Sequence, residues 1–200
     1  MTPHTRIHLI RHGQVVGYDQ KRYNGQFDVA LTDLGVEQYH LLKERLASAP
    51  ISACYTSDLT RCVTGANIIC ERFGIEPVKR SELRELNVGI WEGLTWTEII
   101  ARWPEEWQAR LSDLVHHRVP QGETLLEVEA RVMPVIREIV ERHQGQELLV
   151  VGHGGVNRIV LLDAIGAPLS SMFNIEQTYG CYNIIDYYAD GKVTVKLLNG

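Results

Sequence analysis

Short apolar runs alternate along the chain with segments in which apolar residues recur at helical spacing. The runs predict β-strands over residues 6–11, 53–55, 77–78, 147–152, 181–187 and 192–198. The last two runs flank the turn Ala189-Asp190-Gly191 and therefore predict a hairpin. This alternation favours an α/β fold, a three-layer sandwich with a mostly parallel central sheet, an antiparallel edge, and helices on both faces.

Residues that cap helix N-termini mark where the helices begin. Thr95-Trp96-Thr97-Glu98 and Thr124-Leu125-Leu126-Glu127 each match the capping box, in which side-chain and backbone groups of the first turn satisfy each other. Ser57-Asp58 is the predicted cap of an earlier helix, and Pro134 is expected to bend the helix after Thr124. The predicted helices begin near Thr32, Ser57, Thr95, Pro104, Thr124 and Gly155.

The length and composition fit one structural unit. A chain of 200 residues with 44% hydrophobic content can bury a sizeable core but is short for two full-sized domains, so a single domain over residues 1–200 is predicted. The regular pattern is weakest at about residues 81–123, where only short helices are indicated. Irregular stretches within a compact domain usually have a functional role, so we expect a helical and irregular insertion there that contributes to the active site or its substrate pocket.

The charge balance argues against some classes of partner. The formal net charge of −5 offers no bulk attraction to nucleic acid or to an acidic membrane, so neither partner is predicted. A bound anion would need a local cluster of arginines, yet the basic residues are scattered along the chain. Arg6 and Arg11 bracket only four residues, too few for a signal segment or a membrane span, and a cytoplasmic protein is expected.

Patterns typical of metal ligands are weak. The cysteines at positions 54, 62, 70 and 181 show neither a CxxC pair nor the spacing of a zinc site. The histidines at positions 4, 8 and 12 would align on a helix, but their segment is predicted as a strand. His116 and His117 lie in a predicted loop, where they are expected to be solvated. No metal is predicted.

Two histidines directly follow predicted buried strands. His12 comes after Arg11 at the end of one strand, and His153 lies among glycines at the end of another. Open α/β sheets bind ligands at the carboxyl ends of their strands, and a guanidinium is rarely buried without an anion. These features indicate phosphoryl chemistry. Asn157 replaces the third glycine of a GxGxxG pattern, so a nucleotide cofactor is not predicted.

Five segments, in order along the chain, together carry a family resemblance. They are Leu9-Ile10-Arg11-His12-Gly13, Arg22-Tyr23-Asn24-Gly25 with Leu31-Thr32-Asp33-Leu34-Gly35, Thr56-Ser57-Asp58-Leu59-Thr60-Arg61, Leu83-Arg84-Glu85-Leu86-Asn87-Val88-Gly89-Ile90-Trp91-Glu92-Gly93, and Val151-Gly152-His153-Gly154-Gly155. This set resembles the motifs of the histidine phosphatase superfamily, also called phosphoglycerate mutase-like. The motifs span nearly the whole chain and follow the family's order.

The resemblance implies a role for five residues. His12 would be the nucleophile that forms a phosphohistidine, with Arg11, Arg61 and His153 holding the phosphoryl oxygens, and Glu85 would be the general acid. The chemistry of these residue types agrees, because two arginines can neutralise phosphoryl oxygens without a metal. The same cations favour a neutral imidazole at His12, which keeps a lone pair for attack.

Further residues match positions that the family uses to bind substrate. The resemblance implies that Asn24, Gly25 and the amide of Gly154 contact the transferred group or its ester. Tyr18 stands where many members have asparagine, so one phosphate hydrogen bond is either lost or made by a phenol. Gln14 replaces the commoner glutamate after the Arg-His-Gly signature, a change that bears on substrate and rate rather than on mechanism.

Water is the expected acceptor of the phosphoryl group. Mutases of the family use longer insertions and a C-terminal lid, whereas this chain stops at residues 196–200, directly after the last predicted strand. The predicted function is therefore metal-independent hydrolysis of a small phosphorylated metabolite, without a cofactor. The alternatives are a broad-specificity phosphatase, a phosphoglycerate mutase, and a non-catalytic module that binds a phosphorylated ligand.

The specific substrate predicted from the resemblance is α-ribazole 5′-phosphate, and this prediction depends on the segment that contains the tryptophans. The resemblance is carried by Trp91-Glu92-Gly93-Leu94-Thr95, Glu98-Ile99, Trp103-Pro104 and Pro120-Gln121-Gly122-Glu123-Thr124. These segments resemble α-ribazole phosphatases, which remove a 5′-phosphate during assembly of the cobalamin nucleotide loop, and broad-specificity bacterial relatives. Aromatic walls would suit a flat benzimidazole base, although tryptophans at this spacing also pack helical insertions. The tryptophans are Trp91, Trp96, Trp103 and Trp107. An edge strand near the C-terminus could pair two subunits in a homodimer.

Overall fold

The computed structural model of the protein describes residues 4–200. Its strands are β1 (His4–Arg11), β2 (Arg22–Tyr23), β3 (Ile51–Thr56), β4 (Val78–Lys79), β5 (Leu94–Thr95), β6 (Glu147–Gly152), β7 (Tyr182–Tyr188) and β8 (Val193–Leu197). Its α-helices are α1 (Asp33–Arg45), α2 (Thr60–Cys70), α3 (Trp96–Arg102), α4 (Pro104–Ser112), α5 (Leu125–Arg142) and α6 (Gly154–Ile165).

Six of the strands form one twisted layer in the order β4-β3-β6-β1-β7-β8. The first four run parallel, whereas β7 is antiparallel to β1 and β8 is antiparallel to β7. β2 and β5 form a separate antiparallel pair. The predicted fold class, a mostly parallel sheet with an antiparallel edge, is confirmed.

The helices cover both faces of this sheet. Ile7 and Leu9 of β1 pack with apolar residues of α5 and α6. Ile10, on the opposite face of the same strand, packs with α1 and α2. Side chains alternate across a strand, so one short apolar run serves two cores. This arrangement is the predicted three-layer sandwich.

The capping residues at three helices can now be compared with the prediction. Thr95 and Thr124 both form complete capping boxes, with Glu98 and Glu127, as predicted. The prediction that Ser57-Asp58 caps α2 is wrong, because the N-cap is Leu59, which has no capping side chain. Instead, the hydrogen-bond acceptor for the first turn of α2 comes from another part of the chain.

The residue that satisfies that first turn is Asp28. The Thr60 amide donates to Asp28 Oδ1 at 3.0 Å, and the Thr60 hydroxyl also donates to this carboxylate. A carboxylate at a helix N-terminus stabilises the helix through its amides and its dipole. The contact therefore ties α2 to the loop that follows β2.

The segment at 81–123 contains two 3₁₀ turns, at Ser81–Leu83 and Gly89–Trp91, followed by β5, α3 and α4. Over residues 4–200, none of the helices combines the length and the apolar character that crossing a membrane requires.

Candidate active site

The two strand-end histidines lie side by side at the carboxyl edge of the sheet. β1 and β6 are parallel neighbours, and Arg11 is in register with Gly152. The His12 amide donates to the Gly152 carbonyl at 3.0 Å. The His12 and His153 rings then meet edge to face, with their centroids 5.2 Å apart. The register of two parallel strands thus brings together residues that lie far apart in sequence.

The His12 imidazole is held with one nitrogen available for attack. Its Nδ1 lies 2.8 Å from the Gly13 carbonyl, which can only accept, so Nδ1 carries the hydrogen and Nε2 keeps its lone pair. Burial lowers the pKa of His12 well below its usual value, and the positive charges of Arg61 and Arg11 lower it further. The imidazole is therefore neutral at physiological pH, as a nitrogen nucleophile must be.

His153 is fully buried and lies at the N-cap of α6. Its Nε2 lies 2.9 Å from the Ser57 hydroxyl, at the end of β3. Burial lowers the pKa of His153 well below its usual value, with Arg61 and His12 adding to the effect. The second imidazole is thus also neutral in the folded protein.

The two predicted phosphate-binding arginines are positioned by backbone carbonyls. Arg61 donates to Gly25 O at 2.6 Å and to Phe27 O at 3.0 Å, and Arg11 donates to the Gln177 carbonyl. Backbone carbonyls thus orient both guanidinium groups, and Arg61 Nη1 also lies 3.9 Å from the carboxylate of Asp28.

Three buried polar atoms at the site have no partner among residues 4–200: the Nε atoms of Arg11 and Arg61, and Oδ1 of Asn24. Buried polar groups are almost always paired, so unpaired ones indicate where a ligand binds. Two of the three belong to guanidinium groups, which favour an anion. Asn24 and Arg61 are linked through the loop that contains Gly25.

Glu85 is placed beside these groups by α6 and by an arginine of α5. The Gly155 amide donates to Glu85 Oε2 at 2.9 Å, and a Cβ on Gly155 would come within 2.4 Å of Oε1. Only glycine therefore lets the carboxyl group approach the helix start. Arg131 donates to the carbonyls of Arg84 at 2.7 Å and of Glu85 at 3.0 Å, which fixes the loop.

Glu92 fixes the loop that follows β2, on the other side of the site. The sequence analysis did not identify this role. Its carboxylate accepts from the amides of Gln26 at 3.0 Å, Phe27 at 2.5 Å and Val88 at 3.1 Å. Gly25 has φ of 49°, and a Cβ there would lie 2.1 Å from Glu92 Oε1. The carboxylate therefore holds the loop whose carbonyls orient Arg61.

One cavity brings together several of these groups, although neither His12 nor His153 is among the residues that line it, and it contains three arginines that the sequence analysis did not single out. Arg11, Arg61 and Glu85 line it, as do Asn24 and Gly25. The other arginines in its lining are Arg22, Arg110 and Arg158. Their positions in sequence are unrelated, so only the fold reveals that they share one cavity.

Of the remaining predicted site residues, Gly154 lies at the site and Tyr18 lies away from the cavity. Gly154 lies at the start of α6, where a Cβ would be 3.2 Å from Arg11 Nε, so the glycine allows the guanidinium to approach the helix. Tyr18 is 51% exposed on a 3₁₀ turn and is absent from the lining of the cavity. The geometry therefore supports a place for Gly154 in the site and gives none for Tyr18.

The prediction that tryptophans form a wall of the pocket is wrong. Trp91 is fully buried, and its ring packs against Tyr23 and Trp107 with centroids 5.9 and 5.8 Å apart. Trp103 packs against the same small core, and the Trp96 ring lies 5.7 Å from the ring of Trp107 while remaining 40% exposed. None of the four tryptophans lines the cavity. The physical reason is that this insertion needs its own apolar core, and the tryptophans supply it. Of the residues in this small core, Tyr23, Leu86 and Val88 also line the cavity.

The buried imidazoles predict how stability depends on pH. An unfolded chain binds protons at its histidines near pH 6.5, whereas His8, His12 and His153 have lowered pKa values in the fold. The free energy of unfolding should therefore fall as the pH drops below about 6.5, by about 1.4 kcal/mol per pH unit for each such imidazole. Urea denaturation between pH 7 and pH 5 measures the slope.

In the variant His12→Ala, the free energy of unfolding should change less steeply with pH, by about 1.4 kcal/mol per pH unit, because one of the buried imidazoles is absent. The matched control is His40→Ala, which removes an exposed imidazole from α1 and should leave the slope as it is. Equal slopes for wild type and His12→Ala would contradict a neutral, buried His12.

Comparisons with known proteins agree with this geometry. Residues 7–200 match the family model described as histidine phosphatase superfamily, branch 1. The chain is 32% identical over 164 residues to Probable phosphoglycerate mutase GpmB of Yersinia pestis (strain Pestoides F), covering 82% of this chain and 76% of that protein. The solved α-ribazole phosphatase of Shigella flexneri is 28% identical with a TM-score of 0.90, over 98% of this chain and 96% of that one.

A second solved structure, YhfR of Bacillus stearothermophilus, is 27% identical with a TM-score of 0.90, over 96% of each chain. The family model extends from the middle of β1 to the last residue, and it includes both strand-end histidines. The chain belongs to the histidine phosphatase superfamily.

Proposed function

We propose that this protein hydrolyses phosphate monoesters through a phosphohistidine formed on His12. Proteins of this superfamily are phosphatases or mutases, which sets the class of reaction. The observation that carries the proposal is the state of His12, a neutral imidazole whose Nδ1 is bonded to a carbonyl and whose Nε2 keeps its lone pair, near Arg11 and Arg61, whose buried Nε atoms are unpaired. A nucleophile and its anion site occur together.

The first half of the reaction would transfer the phosphoryl group to the protein. His12 Nε2 forms a bond to phosphorus while the bond from phosphorus to the ester oxygen breaks. Arg11 and Arg61 neutralise the phosphoryl oxygens, whose charge is spread in the transition state. Glu85, in its protonated form, gives its proton to the leaving oxygen, which departs as the alcohol.

The second half would return the protein to its starting state. Glu85, now a carboxylate, takes a proton from water, and the resulting hydroxide forms a bond to phosphorus as the bond to His12 breaks. The products are inorganic phosphate, a neutral His12 and a protonated Glu85. One carboxyl group therefore acts as acid and then as base, and the net reaction consumes one ester and one water.

Inhibitors test the metal-independent phosphoryl site. Turnover of p-nitrophenyl phosphate should survive EDTA, because arginines supply the positive charge. Vanadate should inhibit strongly, because its trigonal-bipyramidal form mimics the transition state that Arg11 and Arg61 would hold. Activity that EDTA abolishes and a divalent ion restores would contradict the proposal. A protein that binds vanadate but releases no nitrophenol would be a binding module.

The favoured specific substrate, from family resemblance, is α-ribazole 5′-phosphate. Its support is the likeness to the Shigella flexneri α-ribazole phosphatase. The tryptophans lend it none, since they do not line the cavity.

The second candidate activity is phosphoglycerate mutation, which the name of the Yersinia pestis relative favours. With phosphoglycerate labelled in its phosphoryl group, a phosphatase releases inorganic phosphate, whereas a mutase moves the label between the 2- and 3-hydroxyls.

A further inference from the structure

Arg11 is held in place by one loop, residues 175–181, which leads into β7. The Gln177 carbonyl accepts a hydrogen bond from Arg11 Nη1, and the centroid of the Tyr179 ring lies 4.0 Å from the guanidinium carbon. The Arg11 amide donates to the Cys181 carbonyl at 3.1 Å. The loop at 175–181 therefore fixes the backbone of Arg11, one edge of its guanidinium group and one of its faces.

This arrangement leaves one nitrogen of Arg11 for a ligand. Arg11 Nε is buried and unpaired, and it lies beside the start of α6, where a Cβ on Gly154 would be 3.2 Å away. An aromatic ring attracts a cation at its face, so Tyr179 keeps the guanidinium group in this orientation. The loop also contacts the predicted nucleophile, because the Gly180 amide donates to the His12 carbonyl at 3.0 Å.

The loop at 175–181 is held in turn by Asn199, which follows β8. Asn199 Oδ1 accepts from the Thr178 amide at 2.7 Å and from the Thr178 hydroxyl at 3.3 Å. Asn199 has a φ of 51°, a conformation that asparagine and glycine adopt more readily than other residues. Its own amide donates to Asn183 Oδ1 at 2.9 Å. Neither asparagine lines the cavity.

Asn183 connects the loop to β1. Its side-chain nitrogen donates to Gln177 Oε1 at 2.9 Å, and Gln177 Nε2 donates back to Asn183 Oδ1 at 2.8 Å. Asn183 also donates to the Leu9 carbonyl at 3.1 Å, two residues before Arg11. Both side chains are buried, and a buried amide network whose members are paired is rigid. The network therefore fixes the position of the loop relative to the strand that carries Arg11.

The loop has a second point of attachment on α1. Gln38 Nε2 donates to the Tyr179 carbonyl at 3.1 Å, and Gln38 Oε1 accepts from the Gln14 amide at 2.8 Å. Because this attachment does not involve Asn199, a change at Asn199 should loosen the loop without releasing it.

We propose that Asn199 and Asn183 are positioning residues that act on Arg11 through the loop at 175–181. The loop turns the guanidinium group so that its Nε faces a bound phosphoryl group or inorganic phosphate, and neither asparagine touches that anion. The inference rests on the proposed function for the identity of the anion. Its effect is on anion affinity, which is measured without turnover.

Substitutions of Asn199 test the proposal by calorimetry with inorganic phosphate. Asn199→Gly allows the positive φ and keeps the backbone amide but removes the acceptor for Thr178, so phosphate should bind about threefold to tenfold more weakly. Asn199→Asp keeps the acceptor and should recover most of that affinity. The matched control is Asp190→Gly, which removes a similar acceptor, for the Lys192 amide at 3.0 Å, beyond the other end of β7. It should leave phosphate affinity unchanged.

Substitutions of Tyr179 test the contact between the loop and the guanidinium group. Tyr179→Leu removes the aromatic face and should lose about threefold to tenfold more phosphate affinity than Tyr179→Phe, which keeps it. Equal affinities in these two variants, together with wild-type affinity in Asn199→Gly, would overturn the proposal.

A double variant shows whether Asn199 acts through Arg11. In an Arg11→Lys background, Asn199→Gly should change phosphate affinity much less than it does alone, because lysine has neither the Nη1 that the loop holds nor the Nε that it directs. An undiminished loss in that background would overturn the proposed route. Thermal denaturation accompanies each variant, and a lower Tm with unchanged phosphate affinity would show that Asn199 serves only the fold.

The binding data separate failure of this inference from failure of the proposed function. Phosphate affinity that depends on Asn199, in a protein that hydrolyses no ester, would refute only the hydrolase. Ester hydrolysis with phosphate affinity that is the same in wild type and Asn199→Gly would refute only the positioning role. A wild-type protein that binds neither phosphate nor vanadate would refute both.

Discussion

His12→Ala should lose at least about a thousandfold in turnover of any phosphate ester, because the variant has no nucleophile to form the covalent intermediate. The backbone hydrogen bonds of residue 12, to Gly152 and from Gly180, do not depend on the imidazole, so the sheet edge should persist. Steady-state rates measure the loss of turnover, and circular dichroism tests whether the fold is retained. His40→Ala on α1 is the matched control and should retain wild-type rates.

Rapid quenching with labelled substrate shows where the phosphoryl group goes. The wild-type protein should give a phosphoenzyme that is labile in acid and stable in alkali, with the label on His12. Ser57 is the alternative acceptor to examine, because its hydroxyl lies 2.9 Å from His153 Nε2, closer than the Cys62 thiol at 3.5 Å. Label on Ser57, or more than a few per cent of wild-type turnover in His12→Ala, would refute the proposed intermediate.

Glu85→Gln should slow hydrolysis of an alkyl phosphate by roughly a hundredfold to ten thousandfold, the usual contribution of general acid catalysis. The amide keeps the shape of the carboxyl group but cannot supply the proton. A p-nitrophenyl ester should lose much less in its first step, since its leaving group needs little protonation. Burst kinetics with the two esters separate the phosphorylation step from the hydrolysis of the phosphoenzyme.

The control for this variant is Glu82→Gln. Glu82 lies three residues upstream, pairs with Arg80 at 3.2 Å, and does not line the cavity. It should leave both esters at wild-type rates. Equal losses for the two esters in Glu85→Gln would mean that Glu85 positions other groups and that a different residue supplies the proton.

Local sequence signals predicted the parts of the fold that depend on near neighbours. The capping boxes at Thr95 and Thr124 formed because their partners lie three residues away. The cap of α2 could not be predicted in this way, because the carboxylate that serves it comes from Asp28, across the fold. The strand ends could be identified from the sequence because an apolar run followed by a polar residue is also a local pattern.

The cavity shows what a linear pattern cannot reveal. The arginines are scattered in sequence, which hid a cluster that the fold assembles from β1, β2, α2, α4 and α6. The tryptophans, in contrast, led to a site being predicted where the fold has a small core. Four large aromatic residues in one segment are typical of both. The structure decides between these interpretations, because Trp91 is 0% exposed and none of the four tryptophans lines the cavity.

The position of β1 in the sheet has a consequence for synthesis. This strand, which leads directly into His12, lies between β6 and β7, so its neighbours are residues 147–152 and 182–188. On the ribosome, β1 emerges well before β6 and β7, so its backbone groups and apolar side chains are all paired only after both of those strands have been made. Until then the nascent chain presents an open sheet edge, the kind of surface that chaperones protect, and the anion site does not yet exist.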